Sequence, residues 1–258
     1  MTNLDRAQTR AFDRHRVRVG DAAIAYQVGG TGPPVILIHG LSGSARWWAK
    51  NVEDLTQDFR VYAVDLLGFG ASGGRQRFLL DQAAAILAAW MDRIGIARAS
   101  VVGHSMGAFV AAELAADCPE RVERLVLVAP AMLPYERRLW HPARGLLGTL
   151  RQVPGGFLPM LIADAVRAGP ITVPSAARQL LTADLRPKFE RITAPTLVVC
   201  GECDRLVPPA FGQRLARDLP NAELVVLPDA DHNPMWEQPA AFNRIVREFL
   251  IPGSGPTG

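Results

Sequence analysis

The sequence predicts an α/β protein: a mostly parallel sheet of eight strands flanked by helices, with a helical insertion in its second half. Three observations carry this. Short β-branched runs recur along the chain, and from position 35 onward they are nearly all apolar, without alternation. Strands buried on both faces of a parallel sheet have that pattern. Segments of helical length, with apolar residues at helical spacing, separate the runs, which is the order of a layered sheet with right-handed crossovers. The alternation breaks once, between positions 131 and 191.

Residues 16–19 and 23–28 read as two strands paired across Gly20-Asp21. Further strands are expected at 35–38, 61–64, 100–102, 125–128, 196–200 and 224–227. Helices are expected at 45–57, 78–94, 106–117, 209–218 and 239–249. The stretch after position 130 has no strand signal and holds Pro134, Pro142, Pro154, Pro159, Pro170, Pro174 and Pro187, with short helical pieces between them. A structureless loop of about sixty residues is out of place inside a compact domain. The expected organisation is therefore a core built from 1–130 and 191–258, with a helical cap inserted at 131–190.

Length and composition set the class. A chain of 258 residues fits one domain with an insertion. With 49% hydrophobic and 21% charged residues it reads as globular. Lys plus Arg is 28 against 25 for Asp plus Glu, a net charge of +3 spread along the chain, which gives no case for nucleic acid or an anionic membrane. The first residues, MTNLDRAQTRAFDRHR, lack the apolar core of a secretory signal. The apolar stretch 83–91 is too short to span a bilayer. Three cysteines, an odd number, argue against a disulfide framework and fit a reducing, cytoplasmic setting.

Gly103-His104-Ser105-Met106-Gly107 fits G-x-S-x-G, after the apolar run 99–102 and before the helical segment 108–114. A serine on a sharp strand-to-helix turn takes a strained conformation, and the flanking glycines let neighbouring backbone pass close by. The turn also sits at a helix N-terminus, where N–H groups and the dipole favour developing negative charge. Ser105 is thus a candidate nucleophile, and a serine needs a base. Of the five histidines, His15 lies in a polar arm and His141 in the Pro-rich stretch. His39 ends a strand and reads as structural; His104 adjoins the serine and reads as packing. His232 lies in the loop after the run 224–227, beyond the carboxyl end of a parallel strand, where α/β sites are built. The acid that would fix its tautomer is Asp204, in the loop after 196–200, with Glu202 and Asp231 as rivals. Asp231 adjoins His232, so their side chains tend to diverge. The chain order Ser105, Asp204, His232 is one of the known serine-triad orders.

These residues resemble the α/β-hydrolase family over nearly the whole chain. His39-Gly40 resembles its H-G oxyanion turn. Asp65 to Ser72 resembles its D-x-x-G-x-G-x-S loop, and the stretch from Asp231 to Pro239 resembles the family's closing D-H-N-P-x-x-E-x-P segment. The similarity is closest to capped, cofactor-free members: esterases, enol-lactonases, carbon–carbon bond hydrolases and related biosynthetic enzymes. The resemblance implies Ser105 as nucleophile, His232 as base and Asp204 as orienting acid. It implies an oxyanion hole from the backbone N–H groups of Leu41 and Met106. A serine at the elbow argues against the dehalogenase and epoxide-hydrolase branches, which place aspartate there. The residue before the base is often glycine in the family; here it is Asp231, which either raises the pKa of His232 or faces solvent.

Other signals are weaker. Cys200-Gly201-Glu202-Cys203 spells C-x-x-C without a second pair, so Cys200 reads as a small core residue and no metal is expected. No nucleotide or metalloprotease motif is present, and no cofactor is expected. Trp47 reads either as core or as pocket wall. Met132, Trp140, Phe157, Leu158 and Leu161, apolar residues of the insertion, are the candidates for a predominantly apolar substrate pocket. Arg144 and Arg151 would share one helical face, by default a solvated one, with binding of a substrate carboxylate as the alternative. The expected activity is hydrolysis of an ester, thioester or lactone of a small molecule. Carbon–carbon cleavage or cyclisation at the same residues is the alternative, and a non-catalytic receptor the third reading.

Overall fold

The computed structural model describes residues 12–72, 77–132 and 153–251. Eight strands form one sheet: β1 Asp13–Val19, β2 Ala22–Gly29, β3 Pro34–Ile38, β4 Arg60–Val64, β5 Ala99–His104, β6 Val122–Val128, β7 Thr196–Gly201 and β8 Ala222–Leu227. Their spatial order is β1-β2-β4-β3-β5-β6-β7-β8. The first two strands pair antiparallel with each other and β2 pairs antiparallel with β4; every later pair is parallel. Every strand expected from the sequence is present.

The non-alternating runs are explained by two cores, one on each face. Ile36, Val101 and Leu127 face one cluster; Leu37, Val102 and Val126, their neighbours in sequence, face the other. On the first face lie α2 (Leu80–Arg93), α3 (Met106–Asp117) and α5 (Pro209–Asp218). On the second lie a 3-10 turn (Ala45–Trp48), α1 (Val52–Leu55), α6 (Pro234–Glu237) and α7 (Pro239–Leu250). Every residue of α3 except Asp117 is buried, as suits a helix that crosses the middle of a sheet and is covered by its neighbours.

The helix expected at 45–57 is interrupted. The buried Asn51 stands between the 3-10 turn and α1, and its Nδ2 donates to the Met235 carbonyl at 2.8 Å and to Asn243 Oδ1 at 2.7 Å. Those long-range bonds fix the chain against α6 and α7 and outweigh local helix propensity.

Between β6 and β7 the described chain is helical over Leu158–Thr182 (α4), broken at Gly169, which sits at φ 85° and ψ 168°. Only glycine adopts that backbone without strain, and Pro170 restarts the helix from its first turn. Gln179 of α4 caps α2 from outside: its Oε1 accepts the Leu80 N–H at 2.9 Å, one of the donors a helix start leaves unpaired. Trp140 and the arginines Arg144 and Arg151 lie outside the described residues. None of the described helices is long and apolar enough to cross a membrane.

Candidate active site

Three strand ends converge. Ser105 follows β5 and opens α3, with φ 53° and ψ −113°. A non-glycine residue there is strained by about 1–3 kcal/mol and persists only because its surroundings enforce it. They do so through both elbow glycines. A Cβ on Gly103 would lie 2.3 Å from the Gly107 carbonyl oxygen, and a Cβ on Gly107 would lie 2.4 Å from the His39 carbonyl oxygen. The Ser105 N–H is held by the Val128 carbonyl at 2.8 Å, so the elbow is also tied to β6.

His232 leaves the loop after β8 and meets the serine: Nε2 lies 3.1 Å from Ser105 Oγ. On its other side Nδ1 lies 2.8 Å from Asp204 Oδ2. A carboxylate only accepts, so Nδ1 carries the proton and Nε2 is left to receive the serine hydroxyl. Asp204 is itself fixed, because its Oδ1 accepts the N–H groups of Leu206 and Val207, both at 2.8 Å. The rival acids are elsewhere. Glu202 is exposed and accepts the Asp229 N–H at 3.2 Å. Asp231 is buried beside the base but does not reach its ring.

The loop carrying His232 is held from two directions. The His104 Nε2–H donates to the His232 carbonyl at 2.9 Å. Burial, then the nearby His232, pushes the His104 pKa down to about 3, so this imidazole is a neutral strut. Glu237 of α6 accepts the Asp231 N–H at 2.6 Å and the Asn233 N–H at 3.3 Å, bracketing His232.

Burial lowers the His232 pKa. The charge and hydrogen bond of Asp204, helped by Asp231 and Glu237, outweigh it, and the net shift is upward from 6.5. Burial in turn raises the Asp231 carboxyl, and the Asp204 charge adds to it. The base works only when neutral, so kcat/KM is expected to fall as pH drops through this raised pKa. Asp231→Asn removes one of the charges that lift it and moves the acid limb of the profile to lower pH. A limb unmoved in that variant would contradict this account of the shift.

His39 organises the turn beside the serine. Its Nε2 accepts the Leu66 N–H at 3.0 Å, and its Nδ1–H donates to the Gly40 carbonyl at 2.7 Å. Burial lowers its pKa against the pull of Asp65, which matches the neutral tautomer. A Cβ on Gly40 would stand 3.2 Å from Ser105 Cβ, so the turn leading to Leu41 lies directly against the serine. Met106 is the first residue of α3, where N–H groups have no helical acceptor. Among the described residues, neither the Leu41 nor the Met106 N–H has a backbone acceptor outside helices and strands. Two such donors beside a serine suit a developing oxyanion.

The apolar candidates separate. Phe157 is buried between Trp47 and Trp236, with ring centroids 5.0 and 5.1 Å away. Leu161 packs against the same cluster. Met132 is buried with Met106 in the cluster on the opposite face. Leu158, the neighbour of Phe157 at the start of α4, is 36% exposed. Cys200 is buried, with its thiol pushed up to about 12 by burial and Asp204, while Cys203 is exposed; neither is in a disulfide. Phe157→Ala is expected to destabilise the fold by about 3–5 kcal/mol in chemical denaturation, by loss of buried ring and creation of a cavity. A loss below about 1 kcal/mol would show that the helix is not anchored there.

Two residues at the site were not singled out by sequence reasoning. Trp236 of α6 is buried against the Phe157 ring. Asp164 of α4 is completely buried; its Oδ2 accepts the Ser44 hydroxyl at 2.7 Å and the Trp47 Nε1–H at 3.2 Å. It ties α4 to the segment that follows the His39-Gly40 turn. The available signal was its place in the stripe Phe157, Met160, Leu161, Asp164, a carboxylate at a position whose spacing calls for an apolar residue.

Residues 35–245 match the family model described as "Alpha/beta hydrolase family". The chain belongs to the alpha/beta hydrolase family. Similar relatives include a pimeloyl-[acyl-carrier protein] methyl ester esterase of Nitrosomonas europaea, 32% identical over 248 residues, covering 86% of this chain and 97% of the relative. A 2-hydroxy-6-oxo-6-phenylhexa-2,4-dienoate hydrolase of Burkholderia cepacia is 30% identical over 295 residues, covering 98% and 100%. Among solved structures, the enol-lactonase from Burkholderia xenovorans matches with a TM-score of 0.75 at 27% identity, covering 92% of this chain and 98% of that one. This alpha/beta hydrolase is accordingly an enzyme whose relatives are named for several hydrolytic reactions.

Proposed function

We propose that this enzyme is a serine hydrolase that cleaves an ester, thioester or lactone of a small, largely apolar substrate. The observation that carries the reading is the chain of contacts from Asp204 Oδ2 through His232 to Ser105 Oγ, 2.8 and 3.1 Å long, ending on a strained elbow. In this reading Ser105 Oγ attacks the carbonyl carbon while His232 Nε2 takes its proton. The tetrahedral oxyanion is stabilised by the N–H groups of Leu41 and Met106, with losses of about 3–4 kcal/mol when one such donor is removed. His232 gives the proton to the leaving oxygen or sulfur, the acyl-enzyme forms, and a water activated by the same imidazole releases the acid. Residues 131–190 act as the cap over this site, with Trp47, Phe157 and Leu161 supporting its apolar side. The free cysteines fit action in a reducing compartment such as the cytoplasm.

A second reading rests on the relative named for 2-hydroxy-6-oxo-6-phenylhexa-2,4-dienoate: carbon–carbon cleavage at the same serine. The discriminating experiment is a panel of short p-nitrophenyl esters, a thioester, a lactone and a vinylogous diketone. Esters, the thioester or the lactone are expected to give the highest kcat/KM. A diketone turned over faster than all of them would replace the first reading with the second.

A further inference from the structure

We propose that a cleft between β1, the 3-10 turn Ala45–Trp48 and helix α4 binds a phosphorylated small molecule, at a site separate from Ser105. The cleft is half open to solvent, its volume is about 530 Å³, and Arg14, Arg16, Arg46 and Arg167 line it. None of Ser105, Asp204 and His232 does. Arg14 and Arg16 are two apart on β1 and share its face, Arg46 comes from the 3-10 turn and Arg167 from α4. Among the described residues none of these four has a carboxylate at ion-pair distance. Arg16 donates to the Ala71 carbonyl, which aims its guanidinium along the cleft wall without neutralising it.

The one carboxyl in the lining is Asp65, and it is spent elsewhere. Its two oxygens accept the N–H groups of Ala45 at 2.6 Å and Ala71 at 2.7 Å, and burial raises its pKa. Four arginines therefore line the cleft against one buried carboxyl, in a protein whose net charge is only +3. Guanidinium groups pair with both carboxylates and phosphates. Donors arriving from three elements favour phosphate, because a tetrahedral oxyanion accepts from several directions, whereas a carboxylate accepts in one plane. The volume exceeds that of a phosphoryl group and falls in the range of small-molecule sites.

The test is calorimetric titration of the full chain with inorganic pyrophosphate at about 0.15 M ionic strength, where exposed charges more than about 8 Å apart are largely screened. One saturable site is expected, weakened about tenfold or more in Arg14→Glu and in Arg46→Glu, the cost of losing a charge-assisted contact. Arg18→Glu makes the same charge change on β1 outside the cleft and should leave affinity within about twofold. Arg14 is exposed, so its variant decides the matter even if Arg46→Glu unfolds. No binding at millimolar pyrophosphate would overturn the proposal. So would equal weakening by Arg18→Glu, or citrate binding as tightly as pyrophosphate. Retention on phosphatidylglycerol vesicles that is lost in Arg14→Glu would also overturn it, by assigning the arginines to a membrane surface. Ester turnover is read in parallel and is independent of every outcome, so failure here leaves the hydrolase reading standing.

Discussion

Ser105→Ala is expected to lower kcat on the best ester substrate by about a millionfold, while the protein folds and binds substrate as before. The size follows from how the three side chains act. Without Oγ there is nothing for His232 to deprotonate, and the acyl-enzyme cannot form. What survives is catalysis by positioning and by the two backbone donors alone, worth about 10³–10⁴ over water in enzymes of this type. The folded state should barely change, because alanine keeps the Cβ that already fits beside Gly40 and the N–H that bonds to Val128. Alanine at φ 53° carries strain like that of the serine it replaces, so the melting temperature is a control for the elbow itself. A variant that retains a tenth or more of the wild-type kcat would remove Ser105 from the chemistry.

Asp204→Asn is expected to cost about 10⁴ in kcat, with little change in KM. The reason lies in the contacts of Asp204 Oδ1 with the N–H groups of Leu206 and Val207. Only an oxygen can accept those two bonds, so the amide of asparagine turns its nitrogen toward His232. An N–H facing Nδ1 forces the ring proton onto Nε2, and the imidazole then presents a proton to Ser105 where it must present a lone pair. The structure thus predicts the wrong tautomer as well as the loss of a charge. Glu202→Gln should stay near wild-type activity, since Glu202 is exposed and its carboxylate accepts the Asp229 N–H and not the His232 ring. Asp231→Asn should change the pH profile and little else. A Glu202 variant as damaged as the Asp204 variant would contradict this assignment of the acid.

Strand β1, charged and largely exposed, was legible only from the turn at Gly20-Asp21. Strands β3 to β7 were legible because they are buried on both faces and so spell apolar runs, and β8 spells one although it is half-buried. The three strand-end loops holding Ser105, Asp204 and His232 were legible for the same reason: each follows such a run directly. The segment 45–57 misled because its helical pattern is real, but Asn51 is satisfied by Met235 and Asn243, far along the chain, and no local pattern encodes that. Asp164 was hidden in the same way, since its partner Ser44 is 120 positions distant. The sides of α4 could not be assigned in advance either. Gly169 breaks the helix, and Leu158 turns outward while its neighbour Phe157 is enclosed by two tryptophans. The Asp65 loop resembled a family motif, and its role is now physical: it fastens Ala45 and Ala71 on either side of the turn that His39 holds.

The proposed chemistry turns on one covalent bond, formed by Ser105 Oγ. Incubation of the intact enzyme with a fluorophosphonate ester, followed by mass spectrometry of the whole protein and of its peptides, reads that bond. One adduct per chain on the peptide holding Ser105, slower to form in Asp204→Asn and absent in Ser105→Ala, is the predicted result. An enzyme that stays unlabelled while turning over esters, or a Ser105→Ala protein that labels like the wild type, would contradict it.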